Sequence, residues 1–282
     1  MTFSLIIGTL NRLDAIKSCL KSILEQTNND YEVIIVDQSD NTDTEQYIAG
    51  LNNKNIIYRH VDFKGLSRAR NEALKLATGN YFCLMDDDAY YQKDYLEVAR
   101  RYIAPDVILT GYIFDTIKEN EFVKYRANFD NKIVTLRMIM RLCPSAALVI
   151  PMELVHKVGM FDENFGVGSR FGSGEETDLL LRGIQAGFYV KYVQDLKLKH
   201  PVPVKYSEST DEEKAEKRST YFKGLGALYK KHMVKGKMNG LKLMYGEVII
   251  KFIVKKFAYK DDKKKYVCNQ FDAFRKGYKE FH

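Results

Sequence analysis

Over residues 1–200, short apolar runs alternate with longer segments whose apolar residues recur at helical spacing. The segments 3–8, 31–36, 55–59 and 81–85 are runs of strand length, rich in Ile, Val, Tyr and Phe. Between them, 14–24 places Ile16, Leu20, Ile23 and Leu24 on one helical face, and 43–51 predicts a second helix. A third helix is predicted over 66–77, stopped at Thr78-Gly79-Asn80 with Gly79 as its C-terminal cap. Strand and helix alternating through short connections predict an α/β fold, a mostly parallel sheet with helices on both faces. Later, 107–112, 146–150 and 188–193 predict strands, and 179–186 a helix ended by Gly187. A last extended piece, 196–200, is closed by Pro201 and Pro203. Beyond about 205 the pattern changes to Lys- and Tyr-rich helices. Two parts are therefore expected: an α/β domain over 1–205 and a basic helical extension over 206–282.

The candidate chemistry begins where the fourth run ends. Asp86, Asp87 and Asp88 follow directly on Tyr81-Phe82-Cys83-Leu84-Met85. Three adjacent carboxylates repel one another unless a positive partner is near. Mg²⁺ and Mn²⁺ prefer such oxygen ligands, and the C-terminal ends of strands are where open α/β sheets bind ligands. A metal site is thus weighed against a plain solvated turn, and the strand context favours the metal.

Composition narrows the class. The chain has 282 residues, 45% hydrophobic and 29% charged, as in an ordinary globular protein. Its cysteines (Cys19, Cys83, Cys143, Cys268) show no paired spacing, which speaks against a zinc site or disulfide framework and fits a reducing compartment. The N-terminal residues lack a signal-peptide pattern, and no run is long enough to span a bilayer. The expected location is cytoplasmic, at most peripheral to a membrane. The net charge of +7 is uneven: residues 211–282 hold 19 Lys/Arg against 9 Asp/Glu, and the first 210 hold 25 against 28. A basic tail on a near-neutral body suggests an anionic partner for the tail.

Five pieces occur in order. They are Ser4-Leu5-Ile6-Ile7-Gly8-Thr9-Leu10-Asn11-Arg12, Ile35-Val36-Asp37-Gln38-Ser39-Asp40, Gly65-Leu66-Ser67-Arg68-Ala69-Arg70-Asn71, Leu84-Met85-Asp86-Asp87-Asp88, and Gly172-Ser173-Gly174-Glu175-Glu176-Thr177-Asp178-Leu179-Leu180-Leu181-Arg182. Together, over roughly residues 1–205, they resemble the family 2 inverting glycosyltransferases of the GT-A fold. Gly8 stands where the family often has Pro, and Gln38 where a second Asp is common. Neither departure removes a required charge.

The resemblance implies a role for each piece. Thr9, Asn11 and Arg12 would border the nucleotide, and Asp37 would accept the N3–H of a uracil or thymine. Arg68, Arg70 and Asn71 would lie near the donor and its diphosphate. Asp86 would contact ribose or sugar with Asp87 beside it. Asp88 would bind Mn²⁺ or Mg²⁺, with His200 as a further ligand. Glu176 takes the position of the general base by register, with Glu175 and Asp178 as its neighbours and alternatives. Read without the family, Asp37 is a turn residue, the arginines a solvated helix face, His200 a structural histidine, and the acidic run a favourable first helical turn. Cys143-Pro144-Ser145 is a weaker match to a segment lining the acceptor side.

The implied activity moves a sugar from a nucleotide-diphospho-sugar, with UDP the expected nucleotide, to a hydroxyl of a glycan or lipid-linked glycan. Bacterial surface polysaccharide assembly is the implied setting. Two rivals are kept: a nucleotidyltransferase that makes the sugar nucleotide, for which Gly8-Thr9-Leu10-Asn11-Arg12 is a poor phosphate loop, and a non-catalytic nucleotide- or glycan-binding protein. In the tail, 246–265 combines apolar residues with lysines. This fits contact with an anionic membrane, or packing on the catalytic domain or a second copy of the chain. No nucleic-acid motif accompanies the charge.

Overall fold

A computed structural model describes residues 2–115, 129–200, 212–236 and 238–282. Pro201, Pro203 and the expected boundary near 205 lie outside them. Contacts divide the chain into two compact units. One comprises Met1–Phe161 with Arg182–Val202, and the other Asp162–Leu181 with Pro203–His282. The glycine-rich stretch 162–174, with Gly166, Gly168, Gly172 and Gly174, thus groups with the C-terminal helices.

The first unit is built on an eight-stranded sheet in the order β3-β2-β1-β4-β7-β6-β8-β5. Its strands are β1 (Phe3–Thr9), β2 (Tyr31–Asp37), β3 (Ile56–His60), β4 (Tyr81–Asp86), β5 (Tyr90–Tyr91), β6 (Val107–Asp115), β7 (Val149–Pro151) and β8 (Tyr189–His200). The helices before the glycine-rich stretch are α1 (Leu13–Leu24), α2 (Asp43–Leu51), α3 (Leu66–Leu76), α4 (Tyr95–Tyr102), α5 (Ile139–Leu142) and α6 (Met152–Val158). Strands β3, β2, β1 and β4 run parallel as the pattern predicts. The other half is mixed, because β7 is antiparallel to both β4 and β6, and β5 to β8. Every residue of β2 is buried, and its apolar run Val33-Ile34-Ile35-Val36 is what a strand covered on both faces requires.

Three local expectations shift. On α1 the buried face is Ile16, Cys19, Leu20 and Ile23, and Leu24 is exposed. That is the i, i+3, i+4, i+7 set, so Cys19 takes the place expected for Leu24. Gly79 does not cap α3, which ends at an extended Ala77. Its backbone instead lies against β1, where an added Cβ would come within 2.7 Å of Ser4 Oγ and 2.8 Å of Ser4 N. The two late extended pieces are one strand, β8. Its pairing with β6 slips between Gly111 and Tyr112, jumping from Val193 to Lys197. Gly111 permits that bulge, since a Cβ there would meet Leu196 O at 2.0 Å.

In the second unit, α7 begins at Glu175 and runs on to Gln185 in the first (Glu175–Gln185). The remaining helices are α8 (Glu212–Lys230), α9 (Asn239–Ala258) and α10 (Asp261–Glu280), as the Lys- and Tyr-rich pattern predicts. A single π-helical turn, Lys231–Lys235, extends α8.

Candidate functional site

Strand register gathers the sequence candidates of the first unit. Thr9 pairs with Asp37 and Gly8 with Asp86, so β1, β2 and β4 end together and deliver their polar residues to one sheet edge. The short strand β5 then recruits β8. Tyr90 pairs with Lys199, which brings His200 beside the acidic triplet just before Tyr90.

The triplet is held by cations from three directions. Arg70, almost wholly buried, donates to Asp86 Oδ1 at 3.1 Å. Arg12 binds Asp87 and Asp88, the latter at 2.7 Å. His200 Nε2 lies 3.2 Å from Asp88 Oδ1 and 3.5 Å from Asp86 Oδ2. Ser145 Oγ donates to Asp86 at 3.1 Å, and Thr9 Oγ1 to Asp87 at 2.8 Å.

This packing sets the protonation states. Burial opposes charge on His200, but Asp86 and Asp88 outweigh it and raise the imidazole to about 10. Burial likewise disfavours the Asp88 carboxylate, yet His200 and Arg12 bring it well below the usual range. Asp86 is lowered in the same way, against burial, by His200 and Arg70. Asp87 goes the other way, to about 6, because burial and its two acidic neighbours outweigh Arg12 and Thr9. Cys19 Sγ lies 3.9 Å from Asp86 O, and burial first, then the three carboxylates, keep its thiol protonated.

Asp37 is fully buried. It accepts from Ser39 N at 2.9 Å, from Ser39 Oγ, and from Tyr58 OH at 2.9 Å. Asn11, at positive φ, ties the loop after β1 to the loop after β2. Its backbone N–H donates to Ser39 Oγ at 2.7 Å and its side chain exchanges hydrogen bonds with Asp40. Asn71 clamps the backbone of Phe161 through both amide atoms, at 2.9 and 3.0 Å. Arg68 stacks over Phe63, 4.1 Å from its centroid.

Two carboxylates and an imidazole are donors of the kind Mn²⁺ or Mg²⁺ accepts. Among the described residues, however, no group of three or more His, Cys, Asp or Glu side chains is arranged to hold a metal ion. Asp86, Asp88 and His200 form an ion-paired triad here.

In the second unit the first turn of α7 holds Glu175, Glu176 and Asp178. Glu176 is half-buried, and Asp178 is fully buried. Asp178 Oδ1 meets Lys231 Nζ at 2.6 Å and His232 Nε2 at 2.8 Å, both from the π-helical turn. Lys231 also binds Asp162 Oδ2 at 2.8 Å and lies over the Phe165 ring. Burial alone would raise Asp162; Lys231 and Asn164 lower it.

Sequence reasoning left Tyr58, Lys231, His232 and Asp162 unassigned and gave Ser145 no contact with the triplet. A Ser after Cys-Pro at the sheet edge was the one available signal.

A family model described as glycosyl transferase family 2 matches residues 4–160, more than half of the chain. The chain belongs to glycosyl transferase family 2. Among relatives of the chain is the UDP-Glc:alpha-D-GlcNAc-diphosphoundecaprenol beta-1,3-glucosyltransferase WfaP of Escherichia coli. It is 32% identical over an alignment of 123 positions that covers 38% of this chain and 49% of WfaP. The chain spans about half or less of the length of the curated relatives it matches first. Two solved structures share its fold. TarS 1–349 of S. aureus in complex with UDP has a TM-score of 0.60 at 19% identity, covering 100% of this chain and 91% of that one. The mannosyltransferase PcManGT of Pyrobaculum calidifontis, in complex with GDP-Man and Mn²⁺, has a TM-score of 0.65 at 17% identity, covering 96% and 73%. The expected GT-A fold is thereby borne out, a mixed α/β sheet flanked by helices.

Proposed function

We propose that this family 2 glycosyltransferase carries out an inverting transfer of a sugar from a UDP-sugar to a hydroxyl of a glycan or lipid-linked glycan, in the cytoplasm, for surface polysaccharide assembly. The observation that carries the reading is the convergence of Asp86, Asp87, Asp88, Arg12, Arg70 and His200 at the ends of β4, β1 and β8. A carboxylate cluster that takes three cationic partners is built to meet a diphosphate through positive charge.

In this reading the loops tied together by Asn11 frame the nucleotide, and Asp37 reads the base while Ser39 and Tyr58 fix its carboxylate. Arg70 and Ser145 orient Asp86 toward ribose or sugar. Asp88, with His200, is proposed to hold Mn²⁺ or Mg²⁺, which when bound supplies positive charge to the departing nucleoside diphosphate. Glu176 is proposed as the base that takes the acceptor hydroxyl proton as the oxygen attacks the anomeric carbon and the bond to diphosphate breaks. Glu175 is the alternative. Asp178 acts by fixing the turn, since Lys231 and His232 both bind its one buried carboxylate.

Calorimetric titration with UDP, dTDP and GDP, each with Mn²⁺ and with EDTA, tests the donor half. Metal-dependent binding of UDP is expected, and Asp88→Asn should abolish it. Equal UDP affinity in EDTA, or in Asp88→Asn, would overturn the metal assignment. Absence of binding by all three would overturn the donor reading itself.

A further inference from the structure

Helix α9 carries two apolar faces. One is spent inside the second unit: Leu241 and Phe252 are buried, and Phe252 packs on the rings of Phe222, Phe271 and Phe274. The other is a stripe of Leu243, Ile250, Val254 and Phe257, exposed by 67, 60, 59 and 82%. At 3.6 residues per turn these four lie within one narrow arc opposite the buried face, about 21 Å long at 1.5 Å per residue. Lys242 and Lys256 flank the arc on one side, Lys251 and Lys255 on the other. Lys263–Lys265 continue the charge into α10, so residues 239–265 hold eight lysines against three acidic residues. An apolar hollow lined by Phe252, Ile253, Phe257, Val267 and Phe271 opens beside the stripe.

We infer that this stripe is a docking surface for an anionic lipid bilayer, with α9 lying in the headgroup layer and its two lysine rows on phosphate. Charge selects this occupant. A second copy of the chain would set one strongly basic face against another, which like-charge repulsion opposes. A bilayer surface rich in anionic headgroups matches both features, apolar side chains entering the acyl boundary and lysines staying at the phosphates. Among the described residues no helix is long and apolar enough to cross a membrane, so the contact is parallel to the surface. A lipid-linked acceptor would give it a purpose, but the surface stands whether or not the transfer reaction does.

The test is co-sedimentation of the full chain, without donor or acceptor, on phosphatidylcholine vesicles with and without phosphatidylglycerol. Binding to the anionic vesicles is expected, weakened by salt and absent on phosphatidylcholine alone. The exposed double variant Val254→Ser/Phe257→Ser, its fold checked by circular dichroism, should bind at least about tenfold more weakly. Lys251→Gln and Lys255→Gln should each cost about fivefold. No partition onto anionic vesicles would overturn the inference. So would partition unchanged in the serine variant, or a dimer in sedimentation equilibrium that the serine variant dissolves.

Discussion

His200 Nε2 sits 3.2 Å from Asp88 Oδ1, an ion pair between the end of β8 and the residue two places beyond β4. Its strength depends on pH in a defined sense. The folded imidazole titrates at about 10, above the roughly 6.5 of an unfolded histidine. Its contribution to stability is therefore complete below about pH 6.5 and is lost as pH rises toward 10. In EDTA, His200→Gln should lower stability by about 1.5–3 kcal/mol at pH 6, and the difference from wild type should close by pH 10. Urea denaturation at pH 6, 8 and 10 measures it; a gap that stays constant would show that the pair contributes nothing.

Arg70 presents a different case, because its guanidinium has almost no access to water and is matched to the partly exposed Asp86. Arg70→Met leaves Asp86 to His200 and Ser145 beside two acidic neighbours, so the cost should fall below the about 3–5 kcal/mol of a wholly stranded partner. The expected result is a lower denaturation midpoint together with weaker UDP binding. Full stability with weakened binding would instead make Arg70 a direct phosphate ligand.

Much of the first unit was legible because its signals are local. The runs at 3–8, 31–36 and 81–85 are buried strands, and a carboxylate at a strand end is visible without knowledge of its neighbours. Partners distant in sequence were not visible. Ser145 lies 59 residues from Asp86, and His232 lies 54 from Asp178, so nothing in the local pattern joins them. The acidic run 175–178 reads as one motif, yet only the fold separates half-buried Glu176 from buried Asp178, which is held by Lys231 and His232. The two-residue β5 was hidden for a related reason, since two residues carry no periodicity, and the strand predicted over 146–150 begins only at Val149 because Ser145–Ala147 form a 3₁₀ turn.

Gly79 shows how a correct residue choice can carry the wrong cause. Its N–H donates to Ser4 Oγ at 2.9 Å, and Ser4 Oγ donates to buried Glu32, which also accepts from Thr78. The glycine is required because the backbone is flush against β1. Gly79→Ala should cost about 1–3 kcal/mol through overpacking against main-chain atoms that cannot turn aside. Denaturation of this variant should show the loss with UDP affinity per folded molecule unchanged, since the contact is at the opposite strand ends from Asp37 and Asp86. A neutral substitution would mean that the third helix re-seats without penalty.

The acidic turn of α7 offers the sharpest separation of chemistry from support. Glu176 is half-buried, so Glu176→Gln should leave the denaturation midpoint and UDP affinity near wild type. If it is the base, transfer should fall by about 10²–10⁴-fold. Asp178→Asn removes the charge that holds both Lys231 and His232, and should destabilise by about 3–5 kcal/mol. Its activity loss should follow the loss of folded protein and be recovered at lower temperature, which the Glu176→Gln loss should not be. Rates and stabilities measured on the two variants side by side decide the assignment. Near-wild-type turnover in Glu176→Gln moves the base to Glu175. A stable Asp178→Asn protein that is inactive at every temperature would give Asp178 the chemical role instead.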